Sequence, residues 1–130
     1  MADTVDSVTL EDGPRNLIIR LTNISDGTGE SAVTKVNTSN FSDMAPHQPA
    51  VYTVVEAIDY SIQGFTSVRL FFDADTDDEI AVLAGQGYLP FDPGLVDPRS
   101  TGTTGDIKLT TAGAVSGATY TITLYLRKKQ

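Results

Sequence analysis

The chain contains no cysteine and a single histidine, His47. Without cysteine there can be no disulfide framework, no thiolate metal site and no thiol nucleophile. With one histidine there can be no zinc site built from several imidazoles, since zinc needs convergent His, Cys or carboxylate ligands. Helical periodicity is missing: no window carries apolar residues at helical spacing over three turns. Long apolar runs are missing too, and none approaches the roughly 20 residues of a membrane span. The opening residues Met1-Ala2-Asp3-Thr4-Val5-Asp6 lack the basic and apolar regions of a secretory signal. The expectation is a soluble protein made and assembled in a cytoplasm, with no membrane partner.

Basic residues are scarce. Nine Lys and Arg stand against 17 Asp and Glu, for a net charge of −8. This argues against nucleic acid as a partner, because phosphate recognition relies on Lys and Arg. It also keeps free copies apart. The one basic cluster is Arg127-Lys128-Lys129. It reads either as a solvated tail that blunts an edge strand or as an ionic contact with an acidic neighbour, which makes Arg127 and Lys128 candidate partner-binding residues.

What is present is strand vocabulary. Thr, Val, Ile, Tyr and Phe fill short segments between Gly, Pro, Ser, Asn and Asp. Alternation predicts strands over 5–10, 15–24, 31–37, 51–63, 67–73, 79–83, 106–111 and 119–127. In the fourth, Tyr52, Val54, Ile58, Tyr60 and Ile62 share one predicted face. In the last, Tyr120, Ile122, Leu124 and Leu126 face inward, alternating with Thr121, Thr123, Tyr125 and Arg127. Gly85-Gln86-Gly87 reads as a turn or bulge leading to Tyr88-Leu89-Pro90-Phe91. Residues 38–50 and 92–105 read as two long loops. The first is either a surface loop or an arm lying on a neighbour, and loops of this length are often functional.

About eight strands, each with one apolar and one polar face, predict an all-β fold of two antiparallel sheets packed face to face. The expectation is a single jelly-roll-like β-sandwich domain over 1–130, with residues 1–7 able to form a flexible N-terminal arm. A chain of 130 residues buries roughly 65–70% of its unfolded surface, enough for a core without covalent staples.

Candidate chemistry is thin. In Asp73-Ala74-Asp75-Thr76-Asp77-Asp78-Glu79, Asp73, Asp75 and Asp77 stand at alternate positions and could converge on calcium. The helix–loop–helix calcium loop needs Gly sixth and Glu twelfth, where this chain has Asp78 and Ala84. A solvated hairpin turn accounts for the run equally well. No Gly-x-Ser-x-Gly elbow is present. No catalytic residue and no cofactor is assigned, and the expectation is a protein that is not an enzyme. Phe41, Met44 and His47 in the first long loop, and Tyr125 opposite the inward face of its strand, are candidate partner-binding residues, because exposed aromatics mark interfaces.

Three regions resemble a known group. They are Thr9-Leu10-Glu11-Asp12-Gly13-Pro14-Arg15-Asn16-Leu17, then Tyr60-Ser61-Ile62-Gln63-Gly64, and Gly105-Asp106-Ile107-Lys108-Leu109-Thr110-Thr111 running on to Leu124-Tyr125-Leu126-Arg127-Lys128. Together they resemble small virion proteins of tailed phages of the head decoration, or cement, type. The resemblance implies a homotrimer that clamps neighbouring subunits of the major capsid protein on the capsid surface. The other reading is a phage tail or fibre β-sandwich module that binds host surface glycan, with Tyr88, Tyr125 and the 73–79 run as suspects.

Overall fold

The computed structural model describes residues 3–13, 15–37, 51–96, 98–99 and 101–129. The alternating segments form β1 (Thr4–Asp12), β2 (Asn16–Asp26), β3 (Val33–Val36), β4 (Tyr52–Gln63), β5 (Ser67–Phe72), β6 (Asp78–Leu83), β7 (Gln86–Val96), β8 (Ile107–Ala112) and β9 (Ser116–Lys129). The described residues contain nine strands and no helix. They make two sheets, one of five strands in the order β1-β2-β9-β4-β7 and one of four in the order β3-β8-β5-β6. Every pairing is antiparallel.

The strand beyond the eight predicted is β7, which runs through a stretch read from its prolines as mostly loop. Its position explains how it forms. As the outermost strand beside β4 it can carry Pro90, whose missing N–H costs no ladder bond on the free side. Its pairing also jumps, from Leu95 opposite Val55 to Pro90 opposite Ala57, so residues 91–94 form a bulge across from Glu56. At the other margin, Thr4–Ser7, expected as part of an arm, lie in register with β2 from Ile24 to Leu21.

Both sheets bury their inward positions in one apolar core. Leu17, Ile19 and Leu21 of β2, with Tyr120, Ile122, Leu124 and Leu126 of β9, meet Val68, Leu70 and Phe72 of β5 and Ile107 and Leu109 of β8. Full burial of one such side chain is worth roughly 1.5–3 kcal/mol, so these two-residue repeats are what fix strand register.

In β4 the predicted face is corrected. Val55, not Val54, joins Ile58 and Ile62 in the core. Val55 stands opposite Leu126 and Val54 opposite Arg127, while beyond Glu56 it is Ile58 that stands opposite Leu124. Glu56 is one extra residue in the ladder, and it switches the parity of everything before it. The tail expectation is corrected as well. β9 lies at the centre of the five-stranded sheet, so Arg127-Lys128-Lys129 do not guard an edge.

Candidate functional site

The inward period of β2 reads Leu17, Ile19, Leu21, Asn23, Ser25, with the last two polar and buried. A buried polar group must find partners, and these find the turn after β2 and the residue before β1. Asn23 Nδ2 donates to Asp3 Oδ2 at 3.0 Å and to Glu30 Oε1 at 2.8 Å. Asp3 Oδ1 also accepts from Ser25 Oγ at 3.0 Å and from the backbone N–H groups of Asp26 and Gly29, each at 3.2 Å. Glu30 takes a further hydrogen bond from Tyr120 Oη at 2.5 Å and an ion pair from Lys35 Nζ, with only 7% and 6% of the Lys35 and Glu30 side chains exposed.

The environment sets the charges. Desolvation pushes the Asp3 carboxyl up, but the donors from Asn23, Gly29, Asp26 and Ser25 together outweigh it and hold the group below the ordinary carboxylate value. Burial, reinforced by the hydrogen bond to Glu30, raises the Tyr120 phenol far above its usual value. The cluster ties Asp3, β2, the β2–β3 turn, β3 and β9 together. Its carboxylates spend their lone pairs inside the protein, so what it does chemically is hold the corner of the two sheets closed.

The sequence-predicted residues are placed as follows. Phe41, Met44 and His47 lie outside the described residues. Tyr125 is half-buried on the outer face of the five-stranded sheet, between Ile18 and Ala57. Arg127 is on the same face and donates through Nη1 to Glu56 Oε2 at 3.0 Å. Lys128 continues the inward period of β9 and is fully buried. Its Nζ is paired with Asp12 Oδ1 and donates to the Gly13 carbonyl at 2.8 Å. Its partner is therefore within its own chain.

Nor do Asp73, Asp75 and Asp77 converge on a common point. Lys108 Nζ sits between two of them, 2.8 Å from Asp73 Oδ1 and 3.5 Å from Asp77 Oδ1. Asp73 Oδ2 accepts from Thr104 Oγ1 at 2.6 Å, and Asp77 Oδ1 from the Ala74 N–H at 3.1 Å. The Lys108 hydrogen bond, then that of Thr104, lowers the Asp73 carboxyl below its usual range. Among the described residues no three His or carboxylate side chains are grouped so as to hold a metal.

Two concavities lie at sheet margins. A small polar cleft of about 90 Å³ opens between β1 and β3, lined by Ser7, Thr9, Asp12, Lys35 and Asn37 over a floor of Leu17 and Ile19. A wider one of about 420 Å³ lies along β4 and β7 at Asp59, Tyr60, Ser61, Gln86, Gly87 and Tyr88. The alternation of β4 and the exposed Tyr88 were legible, but the wider cleft needed β7 to be a strand, which its prolines concealed. Compared with family models, curated proteins and solved structures, the chain gives no match.

Proposed function

We propose that this chain is a structural virion protein of the head decoration type. In this reading it is a jelly-roll-like β-sandwich that binds the major capsid protein as a homotrimer and stabilises the phage head shell. The observation that carries it is the nesting of strand pairs. β2 pairs with β9, β3 with β8, β4 with β7 and β5 with β6. This is the ladder of one long antiparallel ribbon, and folding it over places pairs 2–9 and 4–7 in one sheet and 3–8 and 5–6 in the other. Ribbons wound this way are jelly rolls, an architecture used by viral capsid domains and by lectins. β1 is an addition to that ribbon. It is exposed along its length except at half-buried Val8, and it leaves Val5 and Leu10 exposed as apolar contacts.

The segment resemblance to decoration proteins supports the same reading. Its mechanism is mechanical. A rigid body held by the core and the corner cluster presents β1 to the shell, with Phe41, Met44 and His47 as further candidate contacts. Three copies acting together gain avidity from individually weak contacts. The net charge of −8 keeps unbound copies dispersed in the host cytoplasm and favours a capsid surface with exposed basic groups.

The experiment is to add purified protein to phage heads that lack it. We expect saturable co-sedimentation with the heads, and a higher temperature for DNA release once the sites are filled. Heads that neither retain the protein nor change in heat stability would sink the proposal. The runner-up, a tail or fibre module, shares the fold and differs in where the protein sits on the particle.

A further inference from the structure

The cleft along β4 and β7 has features that neither the core nor the corner cluster explains. β7 pairs with β4 so that Tyr88 stands opposite Asp59, Gln86 opposite Ser61 and Gly87 opposite Tyr60. Paired residues share a face. Asp59, Ser61, Gln86 and Tyr88 therefore project together from the outer face of the five-stranded sheet, while Tyr60 packs toward the core. Tyr88 is 62% exposed although it is one of the largest apolar bodies in the chain.

Gly87 accounts for the notch. Its backbone does not require glycine, since it is absent from the positive-φ residues. A Cβ there would stand 3.0 Å from Tyr60 Oη and 3.3 Å from Tyr60 Cζ, so a side chain would press on the Tyr60 ring. Glycine inside a strand often marks a place where a ligand or another backbone comes close. Leaving the position bare lets the Tyr60 ring lie under β7 on the inner face, while Tyr88 stands on the outer one. The hollow at these residues, about 420 Å³, is shallow and open toward solvent.

The lining selects a ligand chemistry. The exposed Tyr88 ring offers a face for an apolar C–H surface. Asp59 accepts hydrogen bonds from hydroxyl groups, and Gln86 and Ser61 both donate and accept. No side chain of this cleft engages another described residue in a hydrogen bond or ion pair, so their capacity is available to a ligand. The cleft contains no Lys or Arg, which disfavours phosphate and carboxylate ligands, and Asp59 with the net charge of −8 repels them. A molecule with several hydroxyls, an apolar ring face and no negative charge is a neutral sugar. We infer that this notch is a binding site for a neutral saccharide, stacked on Tyr88 and hydrogen-bonded to Asp59 and Gln86.

The test is a titration of the free, isotope-labelled protein followed by NMR. The probes are neutral oligomers of glucose, mannose, galactose and N-acetylglucosamine, with sialyllactose and oligogalacturonate as acidic comparators. At least one neutral oligomer is expected to shift the amide signals of Ser61, Gly87 and Tyr88. Tyr88→Ala and Asp59→Asn should each weaken that binding about tenfold or more. Both residues are exposed, so the melting temperature should stay unchanged. The inference fails if no neutral oligomer shifts these signals, if the shifts fall elsewhere, if they survive both substitutions, or if the acidic sugars bind more tightly. Because the assay uses free protein without heads, its failure leaves the decoration reading standing.

Discussion

Glu30 holds three side-chain donors at once. It receives Tyr120 Oη, Asn23 Nδ2 and the Lys35 ammonium in a place where almost none of its surface meets water. Glu30→Ala would leave a buried cation without its counter-charge, Tyr120 Oη without its acceptor, and Asn23 Nδ2 with Asp3 alone. Breaking a buried pair from one side costs about 3–5 kcal/mol. Urea unfolding should report a loss of that size, and a loss under about 1 kcal/mol would mean that the pair behaves like a surface contact. Titration gives a further test at this scale. The Asp3 and Asp73 carboxyls are held below their ordinary value when folded. Their contribution is therefore present above about pH 4 and lost as the pH falls through the folded values. Tyr120 has the opposite sign. Its folded value is raised above the usual 10.0, so stability is intact below that pH and is lost above it, as the unfolded phenol ionises and the folded one does not. Melting temperatures measured across pH should fall on both sides of a neutral plateau. Replacing Asp3 and Asp73 together by Asn should lower the plateau and flatten the acid limb, and an unchanged acid limb would contradict the assignment.

At the scale of elements, the turns and bulges decide how the strands meet. Gly64 follows β4 with φ of +86°, and a Cβ there would stand 2.8 Å from Ala118 Cβ and 2.9 Å from Ala118 Cα. Both conformation and space oppose a side chain. Gly64→Ala should cost about 1–3 kcal/mol, and adding Ala118→Gly should relieve only the share due to the Ala118 Cβ. Thermal melts of the single and double variants would show it, and identical losses would mean that the Ala118 Cβ contributes nothing to the cost. Much of this level is legible in the sequence, because a two-residue period is a direct consequence of the pleat. Thus β9 reads correctly from Tyr120 to Leu126, and the same period points inward at Lys128. Asn23 and Ser25 carry the same kind of signal, polar residues on an inward parity that must find partners. What escapes is whatever depends on a neighbour. The bulge at Glu56 reverses the face of Val54 and Val55, yet it exists only against β7 and β9. β7 is a strand because it is outermost, and nothing local to Pro90 says so. The closure of Asp3 and Glu30 onto one corner depends on where two sheets meet, and Lys108 reaches Asp73 and Asp77 only through the pairing of β8 with β5.

At the scale of the whole molecule, two sheets enclose one core, and the described carboxylates that gather in groups are turned to structural use. The nested pairing of β2 with β9 down to β5 with β6 leaves β1 as the added strand along one margin and the Tyr88 notch along the other. In the proposed arrangement the β1 margin meets the shell and the Tyr88 margin faces away from it, so head binding and saccharide binding would occupy opposite sides of one body. The most direct measurement is electron cryo-microscopy of intact phage particles, comparing those that carry the protein with those that lack it. The account predicts added density of this size on the outer head surface, grouped around threefold positions between capsid subunits. Density confined to the tail, or particles identical with and without the protein, would contradict it.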